Sequence, residues 1–192
     1  MDGISKPTEH LLAGISSAPG DEWEYVSKDT FGKQQKLVGR VKAVVPGTGV
    51  LESYSVDGKE FGEWVFDGKP SMLGAPIDAS LLFSPHWSGN AIETLSALNG
   101  SKCGLAWNCS FIAKIAGNEK ITVPAGTFDT RKIELHVAVG SPGQNLEIVV
   151  WYSVDQKRLV RQTVKGRGSH PNHAINSVRE MIELSAFRPG VR

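Results

Sequence analysis

Leu37-Val38-Gly39-Arg40-Val41-Lys42-Ala43-Val44-Val45-Pro46-Gly47 is followed by Gly49 to Val56, then by Asp57-Gly58, then by Lys59 to Phe66. Leu37, Gly39, Val41, Ala43 and Val45 fall on one side of an extended chain, and Val38, Arg40, Lys42 and Val44 on the other. That alternation is the two-residue period of a strand. Pro46-Gly47 breaks the first run, and Asp57-Gly58 is a two-residue turn of the kind that accepts positive φ. Trp64 and Phe66 share a face of the third run, which Asp67-Gly68 closes. Three strands in immediate succession, with no helix between them, pair antiparallel.

The same pattern continues outward. Upstream, Glu22-Trp23-Glu24-Tyr25-Val26 puts Trp23 and Tyr25 on one face and the glutamates towards water. Downstream, strand signals recur over roughly 102–116, 127–139, 145–154, 158–165 and 177–187, with a short extended piece at Leu81-Leu82-Phe83. Ile133, Leu135, Val137 and Val139 face one way while Lys132, Glu134 and His136 face the other. Between Gly68 and Asn90 no period is sustained, and Ile92, Leu95 and Leu98 have the spacing of a short helix over 91–98. The expectation is a mostly β chain of about nine strands and one short helix. It forms either one antiparallel, strongly curved sheet (a half-open barrel) or a sandwich. Residues 1–19 form a flexible N-terminal segment, 20–188 the single β domain and 189–192 a tail.

A chain of 192 residues, 40% hydrophobic and 21% charged, can bury a sizeable core without metals. Its 21 basic and 20 acidic side chains argue against a binder driven by phosphate neutralisation. No run reaches the roughly 18 apolar residues of a membrane helix. Charge is uneven: residues 1–150 carry a net −4 and residues 151–192 a net +5. Spread along strand-like sequence, the basic side chains of the last segment, Arg158 and Arg161 among them, read as solvated outward positions.

Cys103 and Cys109, the only cysteines, are six apart. A disulfide between them would stabilise by roughly 2–2.5 kcal/mol on the chain-entropy estimate and would imply an oxidising compartment. Two buried thiols, or a redox or metal-binding pair, are the competing readings. No further zinc ligands lie at the required spacing.

Catalytic signatures are missing: no Gly-x-Ser-x-Gly elbow, no phosphate loop, no His-Glu-x-x-His. His170 and His173 flank Pro171 in a polar loop with no acidic residue, a poor metal site. Glu22/Glu24 and Glu60/Glu63 read as solvent-facing. No catalytic residue, metal or cofactor is therefore assigned. Five tryptophans, at 23, 64, 87, 107 and 151, are more informative. Most belong to a core, yet a concave face lined by Trp64, Trp87 and Trp151, with His86 at its mouth, would make a trough for an apolar or amphipathic ligand.

The segment Ile121-Thr122-Val123-Pro124-Ala125-Gly126-Thr127-Phe128-Asp129-Thr130-Arg131-Lys132-Ile133-Glu134 resembles one typical of exported bacterial proteins of the TapB and DUF3108-like group. Gly20 to Tyr25, Trp151-Tyr152-Ser153 with Arg158 to Arg161, and Glu183 to Phe187 agree in order, so the likeness spans roughly residues 20–187. It implies an extracytoplasmic, periplasmic or secreted antiparallel β protein, with the half-barrel sheet of periplasmic lipoprotein carriers, and carries over no activity. The functional expectation is a non-enzymatic exported β domain that binds an apolar or amphipathic ligand, such as a lipid, or a protein partner on its concave face. The alternatives are a scaffold acting through an exposed strand edge and an enzyme of unrecognised type. Neither nucleic acid nor a membrane span enters any of these readings.

Overall fold

The structure, a computed structural model, describes residues 17–29, 31–45, 49–66, 72–74, 81–83, 109–139, 144–156, 158–167 and 179–191. Its strands are β1 (Glu22–Asp29), β2 (Gln34–Val45), β3 (Gly49–Val56), β4 (Lys59–Phe66), β5 (Met72–Gly74), β6 (Leu81–Phe83), β7 (Cys109–Val123), β8 (Gly126–Val139), β9 (Gln144–Ser153), β10 (Arg158–Arg167) and β11 (Arg179–Arg188). Nine of them form one antiparallel sheet in the order β4-β3-β2-β1-β11-β10-β9-β8-β7, while β5 and β6 pair with each other. The sheet is open, because β4 and β7 stand at its two ends and do not pair. The nine-stranded antiparallel architecture is as the alternation required. The helix expected over 91–98 lies outside the described residues, among which no helix is long and apolar enough to cross a membrane.

Local chemistry sets the hairpins where the sequence places them. Asp57 and Gly58 both adopt positive φ, 50° and 80°, matching the twist of the strands that they join. The Asp57 carboxylate accepts from the Lys36 amide at 2.8 Å and fastens the β3–β4 turn to β2. β7 continues past residue 116 to Val123, where Pro124-Ala125 turns the chain into β8. Gly117, at φ 122°, forms a bulge in which Ala116 is skipped between the pairs Ile115↔Ile133 and Gly117↔Lys132.

One face of the sheet is the core. Trp23, Tyr25, Leu37, Val56, Ile133, Leu135, Ile148, Val150, Tyr152, Ile182 and Leu184 are all buried on it. The other face carries ion pairs: Arg40 and Arg188 meet Glu22, Lys36 meets Glu24 at 2.6 Å, and Arg161 meets Glu183 at 2.6 Å. Glu22 and Glu24 therefore sit largely shielded among cations rather than free in water. Arg40 above all, aided by Arg188 and opposed by slight burial, holds Glu22 below the usual carboxylate range.

Three contacts show that the sheet curls. The β10–β11 ladder lasts only three pairs, from Arg161↔Glu183 to Thr163↔Met181. Where β11 leaves β10, the turn between β7 and β8 returns to it: the Ala125 amide donates to the Leu184 carbonyl at 3.2 Å. Arg161 donates to the Thr122 carbonyl at 3.1 Å beside it. A hairpin from the far edge thus docks on the middle of the same sheet.

The two ends of the domain are tied together. The buried Asp21 carboxylate accepts from the amides of Ala18 and Gly190, both at 2.7 Å. A side chain at Gly190 would stand 2.3 Å from the Pro19 carbonyl oxygen, so only glycine fits this clasp. Gly39 has a similar role inside the sheet, where a Cβ would lie 3.0 Å from the Tyr54 ring. The Tyr54 hydroxyl is bonded to Glu52 at 2.6 Å, so the ring has little freedom to yield. Gly39→Ala should lower stability by about 1–3 kcal/mol, the usual penalty of overpacking. Urea denaturation read by tryptophan fluorescence checks this; an unchanged midpoint would show that Tyr54 is free to move.

Candidate functional site

Polar side chains are scarce on the buried face, and several of those present meet at one place. Glu52 on β3 is 0% exposed and Arg158 on β10 is 1% exposed, and they form a salt bridge with Arg158 Nη2 at 2.6 Å from Glu52 Oε1. The second carboxylate oxygen accepts from the Tyr54 hydroxyl at 2.6 Å. The Arg158 guanidinium lies 4.3 Å from the centroid of the Trp23 ring, and Trp23 stacks on Phe187 at 4.0 Å. The Tyr25 hydroxyl donates to the Leu159 carbonyl at 3.1 Å.

β3 and β10 are four strand spacings apart in the sheet, roughly 19 Å on a flat surface. Two side chains cannot bridge that distance. The contact forms because the sheet is rolled, and the ion pair runs across the hollow of the roll from one flank to the other.

Each member reaches the interior for a local reason. Glu52 belongs to the phase Val50, Glu52, Tyr54, Val56, which faces inward along β3. On β10 a bulge leaves Val160 without a partner on β9, between Leu159↔Tyr152 and Arg161↔Trp151. The bulge turns Arg158, Leu159 and Val160 away from water together. The expectation that the basic side chains of this segment are solvated fails for Arg158, which is among the most deeply buried residues of the described chain. For Arg161 it fails in part: its guanidinium is occupied by Glu183 and Thr122.

Burial governs the electrostatics. Burial raises the Tyr25 hydroxyl to about 12, with Arg158 opposing and Glu52 assisting. Tyr54 goes well above its ordinary value, first through burial and then through the Glu52 carboxylate. Burial works most strongly against the Arg158 charge, but Glu52, Tyr25 and Tyr54 together outweigh it, so the guanidinium holds its proton even more firmly than usual. Four buried polar atoms remain without a hydrogen-bond partner in this region: Trp23 Nε1, Arg158 Nε, and Nε2 and Oε1 of Gln162.

Of the residues expected to line a trough, Trp64 and Trp151 lie in described strands. Trp64 lies on β4 directly opposite Glu52, beside the polar centre in the register. Trp151 occupies the face opposite that of Val150 and Tyr152; its indole N–H donates to Glu119 at 3.0 Å, with Lys132 and Arg161 within 5.8 Å of its ring. His86, Trp87 and Cys103 lie outside the described residues, as do His10, His170 and His173. Cys109 opens β7, opposite Val139, and His136 is exposed on β8, opposite Glu147. Among the described residues no group of three or more His, Cys, Asp or Glu could hold a metal ion. Glu52, Tyr54, Arg158 and Gln162 escaped the sequence reading, although Glu52 and Gln162 stand in the inward phase of their own strands.

Two solved structures share this architecture. One is a Bacteroides fragilis protein with a YmcC-like fold, named as an exported protein: TM-score 0.55, 14% identity, 90% of this chain and 97% of that one covered. The other, from Parabacteroides distasonis, is named as a lipoprotein: TM-score 0.54, 17% identity, 90% and 96% covered. The fold is YmcC-like. At such low identity the likeness concerns the fold alone. No family model matches the chain, so the TapB and DUF3108-like resemblance finds no counterpart there, and no curated protein matches either.

Two predictions test the centre. Glu52→Leu alone strands a buried guanidinium and should destabilise by about 3–5 kcal/mol, whereas combining it with Arg158→Met should recover most of that loss. Urea midpoints of the three proteins decide; a double variant as weak as the single one would show that the pair itself supplies the stability. The second prediction concerns alkali. Tyr25 keeps its proton more tightly folded than unfolded, so its contribution to stability is complete below pH 10 and is lost as pH rises through about 12. Absorbance at 295 nm should show Tyr25 and Tyr54 ionising only together with unfolding; two tyrosines titrating near pH 10 in folded protein would contradict their burial.

Proposed function

We propose that the chain is a non-enzymatic, extracytoplasmic β domain that holds an amphipathic molecule against the inner face of its curled sheet. One observation carries this reading. An inner face that is otherwise apolar contains buried N–H and C=O groups that no protein group satisfies, at Trp23, Arg158 and Gln162. Each such group costs about 1–3 kcal/mol, and folded proteins contain few of them. A molecule with a polar end and an apolar body would satisfy the polar atoms and match the rest of the surface.

The chemistry of the centre favours holding over reacting. Its guanidinium stays charged and both of its tyrosines keep their protons far above neutral pH. Groups that exchange protons in catalysis are tuned towards the working pH instead. Trp64 is the register partner of Glu52, and on this reading Trp64, His86 and Trp87 remain candidates for contact with the bound molecule. Pairing through a strand edge is less well supported at β7, where exposed Lys114 and Lys120 and the bulge at Gly117 are features that discourage strand addition.

Extracytoplasmic placement draws on the names of the two fold neighbours, exported protein and lipoprotein, and on the TapB and DUF3108-like resemblance. It brings with it a disulfide between Cys103 and Cys109. Protein purified from an oxidising compartment should release one amphipathic molecule on solvent extraction, seen also as a mass increment in native mass spectrometry, and should show no free thiol when denatured without reductant. Protein free of any bound molecule would overturn the binding role, and two free thiols would overturn the placement.

A further inference from the structure

The hairpin of β7 and β8 outruns its neighbour in the sheet. The β8–β9 ladder ends at Arg131↔Tyr152, whereas the β7–β8 ladder goes on from Glu119↔Thr130 to Val123↔Gly126. Residues 119–130 thus form an arm whose two strands pair with each other and with no other described strand. Its own bonds stiffen it: Thr130 Oγ1 donates to the Glu119 carbonyl at 2.6 Å, and the Thr122 and Thr127 hydroxyls meet at 2.9 Å. At the root stands the Gly117 bulge, where φ is 122° and an added Cβ would meet nothing within 4 Å. Glycine gives the backbone latitude to flex there. An open cleft of about 510 Å³ adjoins the arm, lined among others by Lys120 and Asp129 of the arm and by Val154 and Asp155 after β9. The arm has space to move into.

The tip of the arm covers a gap. β10 and β11 pair only from Arg161↔Glu183 to Thr163↔Met181, so from Leu184 onward β11 is laddered to β1 and has parted from β10. The Ala125 amide takes the first vacated place by donating to the Leu184 carbonyl, and Arg161 donates to the Thr122 carbonyl alongside. Ile121 and Val123, each 6% exposed, press into the core beneath. Just beyond the gap along β10 lie Val160, Leu159 and Arg158, all buried, the last of them bonded to Glu52. The arm is therefore fastened at its tip by a small apolar latch and isolated hydrogen bonds, whereas continuous ladders hold β8 to β9 and β9 to β10. Segments fastened in this way open before the rest of a fold.

We infer that residues 119–130 are a lid, hinged at the Gly117 bulge, which opens as one unit while the rest of the sheet stays paired and uncovers the gap between β10 and β11. The inference goes beyond the binding role and does not depend on it. Where that role holds, the gap is the route by which a molecule reaches side chains that are buried while the lid is down.

Hydrogen exchange read by mass spectrometry on the full chain, with no ligand added, tests the lid. In wild type the protected amides of the arm should share one opening equilibrium and exchange at least about tenfold faster than those of 146–152 in β9. Low urea should speed β9 steeply and the arm little, because opening the arm exposes far less surface than unfolding. Ile148→Val, a mild change in β9, should speed β9 exchange by about threefold or more and leave the arm within about twofold. A second readout follows the gap itself: Val160→Cys, close in size to the native residue, should react with N-ethylmaleimide through the same opening as the arm, as located by peptide mapping. Arm and β9 amides that exchange at one rate and respond alike to urea would overturn the lid, as would protection that fades gradually from tip to root. Labelling of V160C that follows β9 instead of the arm would show that the gap stays covered and would overturn the inference too.

Discussion

The salt bridge between Glu52 and Arg158 ties together parts of the chain 106 residues apart, and it is possible only in the rolled sheet on which the rest of the molecule depends. Antiparallel pairing alone yields a twisted sheet whose degree of roll is undetermined. Apolar side chains on the inner face favour closure but can pack in many ways. A guanidinium and a carboxylate taken out of water tolerate far fewer arrangements, since each must find the other or remain a bare charge. Tyr54 on the second carboxylate oxygen and Trp23 beneath the guanidinium narrow the choice further. Gly39 then leaves room for the Tyr54 ring. The return of the β7–β8 turn to Leu184 is the matching contact at the other side of the roll.

That arrangement puts the polar centre and the apolar side chains on the same buried face of the sheet. On the outer face, Glu22, Glu24, Glu183 and Trp151 all have partners close at hand, in Arg188, Lys36, Arg161 and Glu119. Inside, the donors and the acceptor left over on Trp23, Arg158 and Gln162 are the groups with capacity to spare.

Most of the sheet was legible because a strand buried on one face has to alternate, and Trp23/Tyr25, Leu37/Val41 and Ile133/Leu135 do so without interruption. Asp57-Gly58 marked its turn because few residues other than these accept the φ values found there. What escaped was of two kinds. Bulges interrupt the alternation: Gly117 does so in the middle of β7, and at Val160 three successive residues, Arg158, Leu159 and Val160, are buried. Partnership is the other. A glutamate in the inward phase between Val50 and Val56 is visible locally, but which cation will meet it depends on how five strands curve together.

The clasp at Asp21 has a mechanical corollary. It sets residues 18 and 190 side by side, where β1 and β11 lie next to each other and run in opposite directions. Force applied through both ends would therefore peel these two strands apart like a zipper, opening one backbone pair at a time, instead of shearing the whole ladder at once. The Asp21 carboxylate and its two amides form the first latch that such a pull must open, and once it gives way the Glu22↔Arg188 pair is next in line.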